Sequence, residues 1–205
     1  MTDTRRSFTR ESEETRRESL IVAALELMAE GGPKAATVRA IADRAGITPG
    51  LIRHYFQTKE QLTREAYAWV MERMTNHAKT AAENGGAGPV DALSALIRST
   101  LRAPVMTGDQ VRLWAGFIHM VHKDAEMRAI HKDSYLHFRG ILEFWIAQLP
   151  SCPDPSETRR LAIACNAILD GLWLEGGALP DAFAPDEIME IGLRSISTIL
   201  NVDLT

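Results

Sequence analysis

The 205-residue chain predicts an all-α protein. Three observations carry that expectation. Apolar residues recur at helical spacing, strand alternation is missing, and helix start and stop signals punctuate the chain along its length. Hydrophobic residues make up 45% of the sequence, enough for a substantial core in one or two compact units. The signals divide the chain into about nine helices, three in a small N-terminal unit and the rest in a larger body.

The first helix opens at Thr15, where Thr15 and Glu18 have capping-box spacing, and ends at Gly31-Gly32. Its inner face is Ile21, Ala24, Leu25 and Met28. The second spans Thr37–Ala45, with Thr37 as N-cap, Val38, Ile41 and Ala42 inward, and Gly46 as stop. The third, Thr48–Tyr55, begins on a threonine N-cap followed by Pro49 at the first helical position, where its missing N–H costs nothing. Thr58 and Gln61 form another capping box that opens a long helix to about Glu83. "NGGAGP", Asn84 to Pro89, is the clearest break. Further starts read at Gly88-Pro89, at Thr107 with Gln110, at Asp154-Pro155 with Glu157, and at Pro185, while Lys123 to Leu149 reads as one long helix. The expected domains are 1–60, with residues 1–13 flexible, and 61–205.

The net charge of −4 is that of no strongly basic nucleic-acid binder. It is unevenly placed, +1 over residues 1–60 and −5 over 61–205, which leaves room for a local cationic face. Cys152 and Cys165 lack metal-ligand spacing and read as reduced thiols. His119 and His122 sit three apart with no cysteine near them and read as ordinary histidines, so neither a metal nor a cofactor is expected. The N-terminus carries no apolar leader, and no apolar run approaches the roughly 20 residues of a membrane span. A cytoplasmic protein with no membrane partner is the expectation. No P-loop, dinucleotide, nucleophile-elbow or zinc-protease pattern occurs, so enzymatic activity has no support.

Two short helices, Thr37–Ala45 and Thr48–Tyr55, joined at Gly46-Ile47, have the layout of a helix-turn-helix. In that layout the second helix enters the major groove by its N-terminus. The sparse Thr48-Pro49-Gly50 start lets backbone approach base edges, and its unpaired N–H groups can face a phosphate. Arg53 one turn on can take guanine or phosphate bidentately, and His54 and Tyr55 can donate to phosphate oxygens. Lys59 lies in the first turn of the next helix, where a cation opposes the helix dipole and a phosphate partner would explain it. Thr37, Arg39 and Arg44 complete the expected DNA-facing set. Phe56 reads as core, and the three arginines also read as plain solvated charges.

"TVRAIADRAGITPGLIRHYFQTKEQL" resembles the DNA-binding segment of TetR-type transcriptional repressors. The matching positions are Thr37, Ile41, Ala42, Ala45, Gly46, Ile47, Thr48, Gly50, Tyr55, Phe56, Lys59 and Leu62, with a departure at Arg53, where that family often has tyrosine. The "HYF" form with Ile52 resembles the BetI branch, the choline-responsive repressors. "VRLWAGFIHMVHKDAEMRAIHKDSYLHFRGIL" and "AILDGLWLEGGAL" are similar to the body of that branch. The resemblance runs from about Thr15 to Leu179 and implies a homodimer held by a four-helix interface.

Read alone, the helix near Glu157–Gly176 repeats Leu161, Ala164, Cys165, Ile168 and Leu172, and the last helix repeats Ile188, Ile191, Ile196 and Ile199, with Gly192 and Ser195 permitting close approach. This pattern reads as a dimer interface, with an ordinary intramolecular core as the alternative. The candidate effector pocket is Trp114, Phe117, Ile118, Tyr135, Phe138, Asn166, Asp170 and Trp173, with Met120 and Trp145 as further members. Aromatic rings beside a carboxylate suit an organic cation, and the same residues at helical spacing also suit core packing. The function these features imply is a dimeric, ligand-responsive repressor, released from a palindromic double-stranded DNA operator by a small organic effector. The competing class is a helical small-molecule-binding or protein-interaction module that does not touch DNA.

Overall fold

A computed structural model describes residues 4–151 and 154–205, with side chains from residue 13 onward. Among them lie nine α-helices, one short 3-10 turn and no strand. The helices are α1 (Thr4–Gly31), α2 (Val38–Ala45), α3 (Pro49–Tyr55), α4 (Lys59–Asn84), α5 (Pro89–Thr100), α6 (Gly108–Val121), α7 (Ala125–Ile146), α8 (Pro155–Ala178) and α9 (Glu187–Leu200). The all-α expectation holds.

The chain forms two compact units, residues 1–70 with 113–130, and residues 71–112 with 131–205. In the first, α1 packs on α2 and α2 on α3. Its core holds Leu20, Ala24, Met28, Ile41, Ala42, Ile52, Phe56, Leu62, Tyr67 and Phe117. The rings of Tyr67 and Phe117 meet at 4.7 Å between centroids, and burial pushes the Tyr67 phenol above its ordinary range. In the second unit, α8 packs along α9, and α5 packs against both. Leu93, Leu96, Ile97, Leu142, Ala162, Cys165, Leu169, Ile188, Leu193 and Ile196 make its core.

Several starts coincide with their sequence signals. Thr37 Oγ1 accepts from the Ala40 N–H at 3.2 Å. Gly46, in the left-handed region at φ 67°, closes α2 by donating to Ala42 and Asp43. Thr58 Oγ1 accepts from the Gln61 N–H at 3.0 Å, and Asp154 accepts from Ser156 and Glu157 at the head of α8. Three starts differ. Helix α1 begins at Thr4 rather than Thr15, because the Arg- and Glu-rich residues ahead of Thr15 are themselves good helix formers. The Thr15 carbonyl there accepts from Ser19 Oγ within the helix, at 2.8 Å. Of the segment 1–13, expected to be flexible, residues 1–3 and the side chains as far as 12 lie outside the described residues, as does Cys152. Helix α7 starts at Ala125, where Asp124 Oδ1 accepts from Glu126 and Met127. Helix α9 starts at Glu187 rather than Pro185, after Asp186 has turned into the left-handed region at φ 63°.

Asp124 also anchors α4. Its Oδ2 accepts from Arg64 Nε at 2.9 Å, while Arg64 Nη1 reaches Glu126 at 2.7 Å. The Arg64 guanidinium holds the Asp124 carboxyl below its usual range, aided by the backbone donors of Met127 and Glu126. A carboxyl depressed by folding stabilises the protein at pH above its unfolded value of about 3.9, and that contribution disappears as pH falls through the folded value. The melting temperature of the wild type should therefore drop more steeply below about pH 4 than that of Asp124→Asn. Parallel acid profiles for the two would refute the assignment.

Glycine in α8 gives a second test. A Cβ on Gly177 would run into Val111 Cγ2 and stand 3.3 Å from the Thr107 carbonyl oxygen, neither of which can step aside cheaply. Gly140, inside α7, faces open space. Gly177→Ala should cost about 1–3 kcal/mol of stability by overpacking. Gly140→Ala should add about 0.5–1 kcal/mol through helix propensity alone. Chemical denaturation of the two variants checks both signs.

Candidate nucleic-acid interface

The third helix is two turns long, and its first turn lies open. Thr48, Pro49 and Gly50 are all exposed, and a Cβ built on Gly50 meets nothing within 4 Å. Thr48 occupies the N-cap in an extended conformation, yet its side chain makes no capping bond. The Leu51 N–H already donates to the Thr48 carbonyl at 3.0 Å and Pro49 has none, so the Gly50 N–H is the group that the missing cap leaves to an outside acceptor. One buried residue, Ile52, fixes the inner face of the helix, and Phe56, 1% exposed, closes it from beneath.

Around this tip the sequence-predicted residues take different positions. Arg39, Arg53 and His54 are exposed, while Tyr55 and Lys59 are half-buried. The His54 and Tyr55 rings meet edge to face at 5.2 Å. Thr37 is exposed but uses its hydroxyl oxygen as the α2 cap. Arg44 departs from the expectation. Its guanidinium turns to α1, with Nη1 3.0 Å from Glu26 Oε2 and Nη2 2.8 Å from Glu30 Oε2. The Arg44 hydrogen bonds in turn hold the Glu30 carboxyl below its usual range. Arg44 thus braces α2 on α1 instead of reaching outward, because two carboxylates one turn apart on α1 match its planar fork.

Sequence reasoning missed another arginine. Arg17, on α1, donates from Nη1 to the Tyr55 carbonyl at 2.8 Å and pairs through Nη2 with Glu65 on α4. Its guanidinium carbon sits 4.5 Å from the centre of the Phe56 ring. The partners are 38 and 48 residues away in sequence, so no local spacing signals them. Gln61 adds a parallel tie, accepting from the Gln57 N–H at 2.9 Å and donating to Glu65 Oε1 at 3.0 Å.

The body residues divide between the units. Trp114, Phe117 and Ile118 fall in the first unit, and Tyr135, Phe138, Asn166, Asp170 and Trp173 in the second. Two of the expected ligand aromatics are core instead. Phe117 is fully buried against Tyr67, and Trp173, 6% exposed, donates its indole N–H to the Val105 carbonyl at 2.9 Å. Both sit on stripes that the helical period makes inward. Trp114, Ile118, Tyr135 and Phe138 are half-buried. The Tyr135 ring already has a cation near it, the Arg139 guanidinium at 5.6 Å. Asn166 is buried and donates to Asp170 Oδ2 at 2.7 Å. Asp170 as a residue is exposed, yet enough chain crowds its carboxyl that burial pushes its pKa up against the opposing Asn166 bond. A separate cavity of about 390 Å³ in the second unit is lined by Leu101, Met106, Gly176, Phe183, Ile188 and Met189 among others, and by none of these expected ligand residues.

The expected dimer residues need a correction. Cys165, Ile188 and Gly192 are buried within their own chain. Burial pushes the Cys165 thiol up to about 12, and a Cβ on Gly192 would meet Leu101 Cδ1 at 2.5 Å and Leu172 Cδ1 at 3.3 Å. Leu161, Ala164, Ile168, Leu172, Ser195 and Ile199 are half-buried, and Ile191 is exposed. The apolar face that α8 leaves open is the interleaved stripe Ile163, Ala167, Gly171 and Leu174, with Ile163 and Leu174 each 37% exposed. The expected stripe, Leu161 to Leu172, passes over this one, which has similar helical spacing. Among the described residues no three His, Cys, Asp or Glu side chains gather to hold a metal, and no helix is long and apolar enough to cross a membrane. Lys123 Nζ lies 3.0 Å from His119 Nε2.

Comparison with known proteins gives a consistent picture. The profile described as bacterial regulatory proteins of the tetR family matches residues 20–66, and that of the BetI-type transcriptional repressor C-terminal region matches 89–201. The chain is similar to the HTH-type transcriptional regulator BetI of Rhizobium meliloti (strain 1021), 32% identical over 79% of this chain and 78% of the relative. To that of Paraburkholderia phytofirmans it is 26% identical, over 91% of this chain and 94% of the relative. A solved transcriptional regulator structure from Pseudomonas aeruginosa PAO1 superposes with a TM-score of 0.82 at 29% identity, covering 92% of this chain and 91% of the other.

Proposed function

From the premise that this chain belongs to the TetR family of bacterial regulatory proteins, in its BetI-type branch, we propose how its helices divide the work of repression. The chain is a helix-turn-helix transcriptional regulator and not an enzyme. Residues 1–60 read DNA, and residues 61–205 bind the effector and pair two chains. Helix α3 lies in the major groove by its open Thr48-Pro49-Gly50 tip, with Arg53 toward base edges or phosphate and Arg39, His54, Tyr55 and Lys59 toward the backbone. The observation that carries this reading is that tip, exposed and free of bulk on a helix whose opposite side is anchored in a core.

One two-turn helix covers too few base pairs to bind tightly, so a twofold pair spaced about 34–36 Å apart on a palindrome is the economical solution. The open stripe Ile163, Ala167, Gly171 and Leu174 on α8, together with Ile191 on α9, supports pairing of two chains there. The small residues at 167 and 171 allow close helix approach. A small organic molecule bound in the body then shifts the pair away from the operator spacing, with a coupling of about 1–3 kcal/mol. Asp170 beside Asn166, with the half-buried ring of Phe138 in the same unit, supports an organic cation as the effector class.

The test is binding to duplex DNA from the region upstream of the protein's own gene, followed by anisotropy across a salt series. Lys59→Ala should weaken binding to every sequence and reduce the salt slope by about 1. Arg53→Ala should cost about 1–3 kcal/mol and relax preference at one base position if it reads a base. Undetectable binding to all fragments, or binding indifferent to both substitutions, would favour an interaction module that leaves DNA alone.

Pairing has its own measurement. Leu174→Glu places a charge on the open α8 stripe and should turn dimers into folded monomers in sedimentation, weakening DNA binding at least about tenfold. Cys165→Ala, inside the chain's own core, should leave the sedimenting mass unchanged.

A further inference from the structure

Helix α3 has seven residues, fewer than the dozen or so that an isolated helix needs. Its N-cap makes no side-chain bond, so its pose depends on what grips the other end. We propose that Arg17 is the positioning residue that fixes the angle of α3 on α4, with Glu65 as the second half of the same clamp. This rests on the reading of α3 as the DNA-reading helix, and it adds a residue that touches no DNA.

One guanidinium serves three partners. It donates to the carbonyl of Tyr55, the last residue of α3, pairs with Glu65 on α4, and covers the Phe56 ring that follows the helix. A cation at a helix C-terminus is favourable for the dipole and satisfies a carbonyl with no intrahelical donor. Glu65 is shared as well. One oxygen takes Arg17 and the other takes Gln61, whose carbonyl oxygen accepts from the Gln57 N–H just beyond α3. The C-terminal end of α3 is thus tied to α4 by two routes that converge on one carboxylate. A turn of α4 about its axis would carry Glu65 with it, and α3 would follow.

The planar fork holds the carbonyl on one nitrogen and the carboxylate on another, in a fixed geometry. A lysine keeps the charge and loses the geometry. The Glu65 half makes a distinctive sign prediction. Glu65→Gln removes a negative charge from a protein that binds a polyanion, so electrostatics alone demands tighter binding. The clamp demands weaker binding.

The test uses the full-length protein and duplex DNA from upstream of its own gene, with anisotropy between roughly 50 and 200 mM salt. Arg17→Gln and Glu65→Gln should each weaken binding about tenfold with the wild-type salt slope retained. Arg17→Lys should weaken it about threefold, and Arg16→Gln, the same charge change on an exposed neighbour, should do less than Arg17→Gln. Without DNA, hydrogen exchange at the amides of residues 52–56 should accelerate in the Arg17 and Glu65 variants, while the amides of α9 stay as slow as in the wild type. Glu65→Gln binding as tightly as wild type or tighter overturns the clamp. So does a salt slope that falls by about 1 in Arg17→Gln, the mark of a phosphate ligand. Should the wild type bind no fragment, the regulator reading fails by itself, and unchanged exchange over residues 52–56 would then overturn the clamp separately.

Discussion

A helix of seven residues cannot hold its own shape, and this constraint governs everything around α3. Its first turn is short and bare, and Thr48, Pro49 and Gly50 supply neither packing nor a capping bond. The stabilisation has to come from elsewhere. It comes from Ile52 beneath, from Phe56 at the exit, from the left-handed Gly46 that sets the turn into the helix, and from Arg17 across its last carbonyl. The first unit is a frame that orders a surface too small to order itself.

What was legible in the sequence is what local chemistry decides. Thr37, Gly46, Thr58 with Gln61, and Asp154 mark their helix ends because each satisfies backbone groups within four residues of itself, and Pro49 marks one because it has no N–H to satisfy. Two of the starts that failed are decided beyond the span of a capping motif, whereas that of α7 is set locally by Asp124, which accepts from Glu126 and Met127. Thr15 and Glu18 have capping-box spacing, but straight-chain formers upstream continue the helix past them. Pro185 invites a helix start, yet Arg102 takes the Asp186 carboxylate and the helix waits until Glu187. No rule that reads four residues at a time contains either outcome.

The same division runs through the candidate site. Exposure of the Thr48 tip and burial of Phe56 followed from period and capping. The role of Arg44 did not, because its partners Glu26 and Glu30 lie on another helix. On α8 the period failed for a different reason. That helix is apolar on two sides, and the expected stripe follows Leu161, Cys165 and Leu172 while passing over the interleaved Ile163, Ala167 and Leu174, which have the same spacing. Only packing of α9 and α5 on the first stripe leaves the second one outside.

Charge raises the sharpest apparent conflict, since a protein of net −4 must approach a polyanion. The arginines of the first unit resolve it by dividing into two sets. Arg17, Arg44 and Arg64 pair with Glu65, with Glu26 and Glu30, and with Asp124 and Glu126. Five carboxylates are thereby held against cations in the frame. Arg39, Arg53 and His54 are left exposed, and Lys59 is half-buried. Field falls off within roughly a Debye length of 8–10 Å, so under the reading proposed above the charges nearest the α3 tip count for more than the net charge of the chain. Net charge is a property of the chain, whereas affinity for a groove depends on which arginines the fold has left unspent.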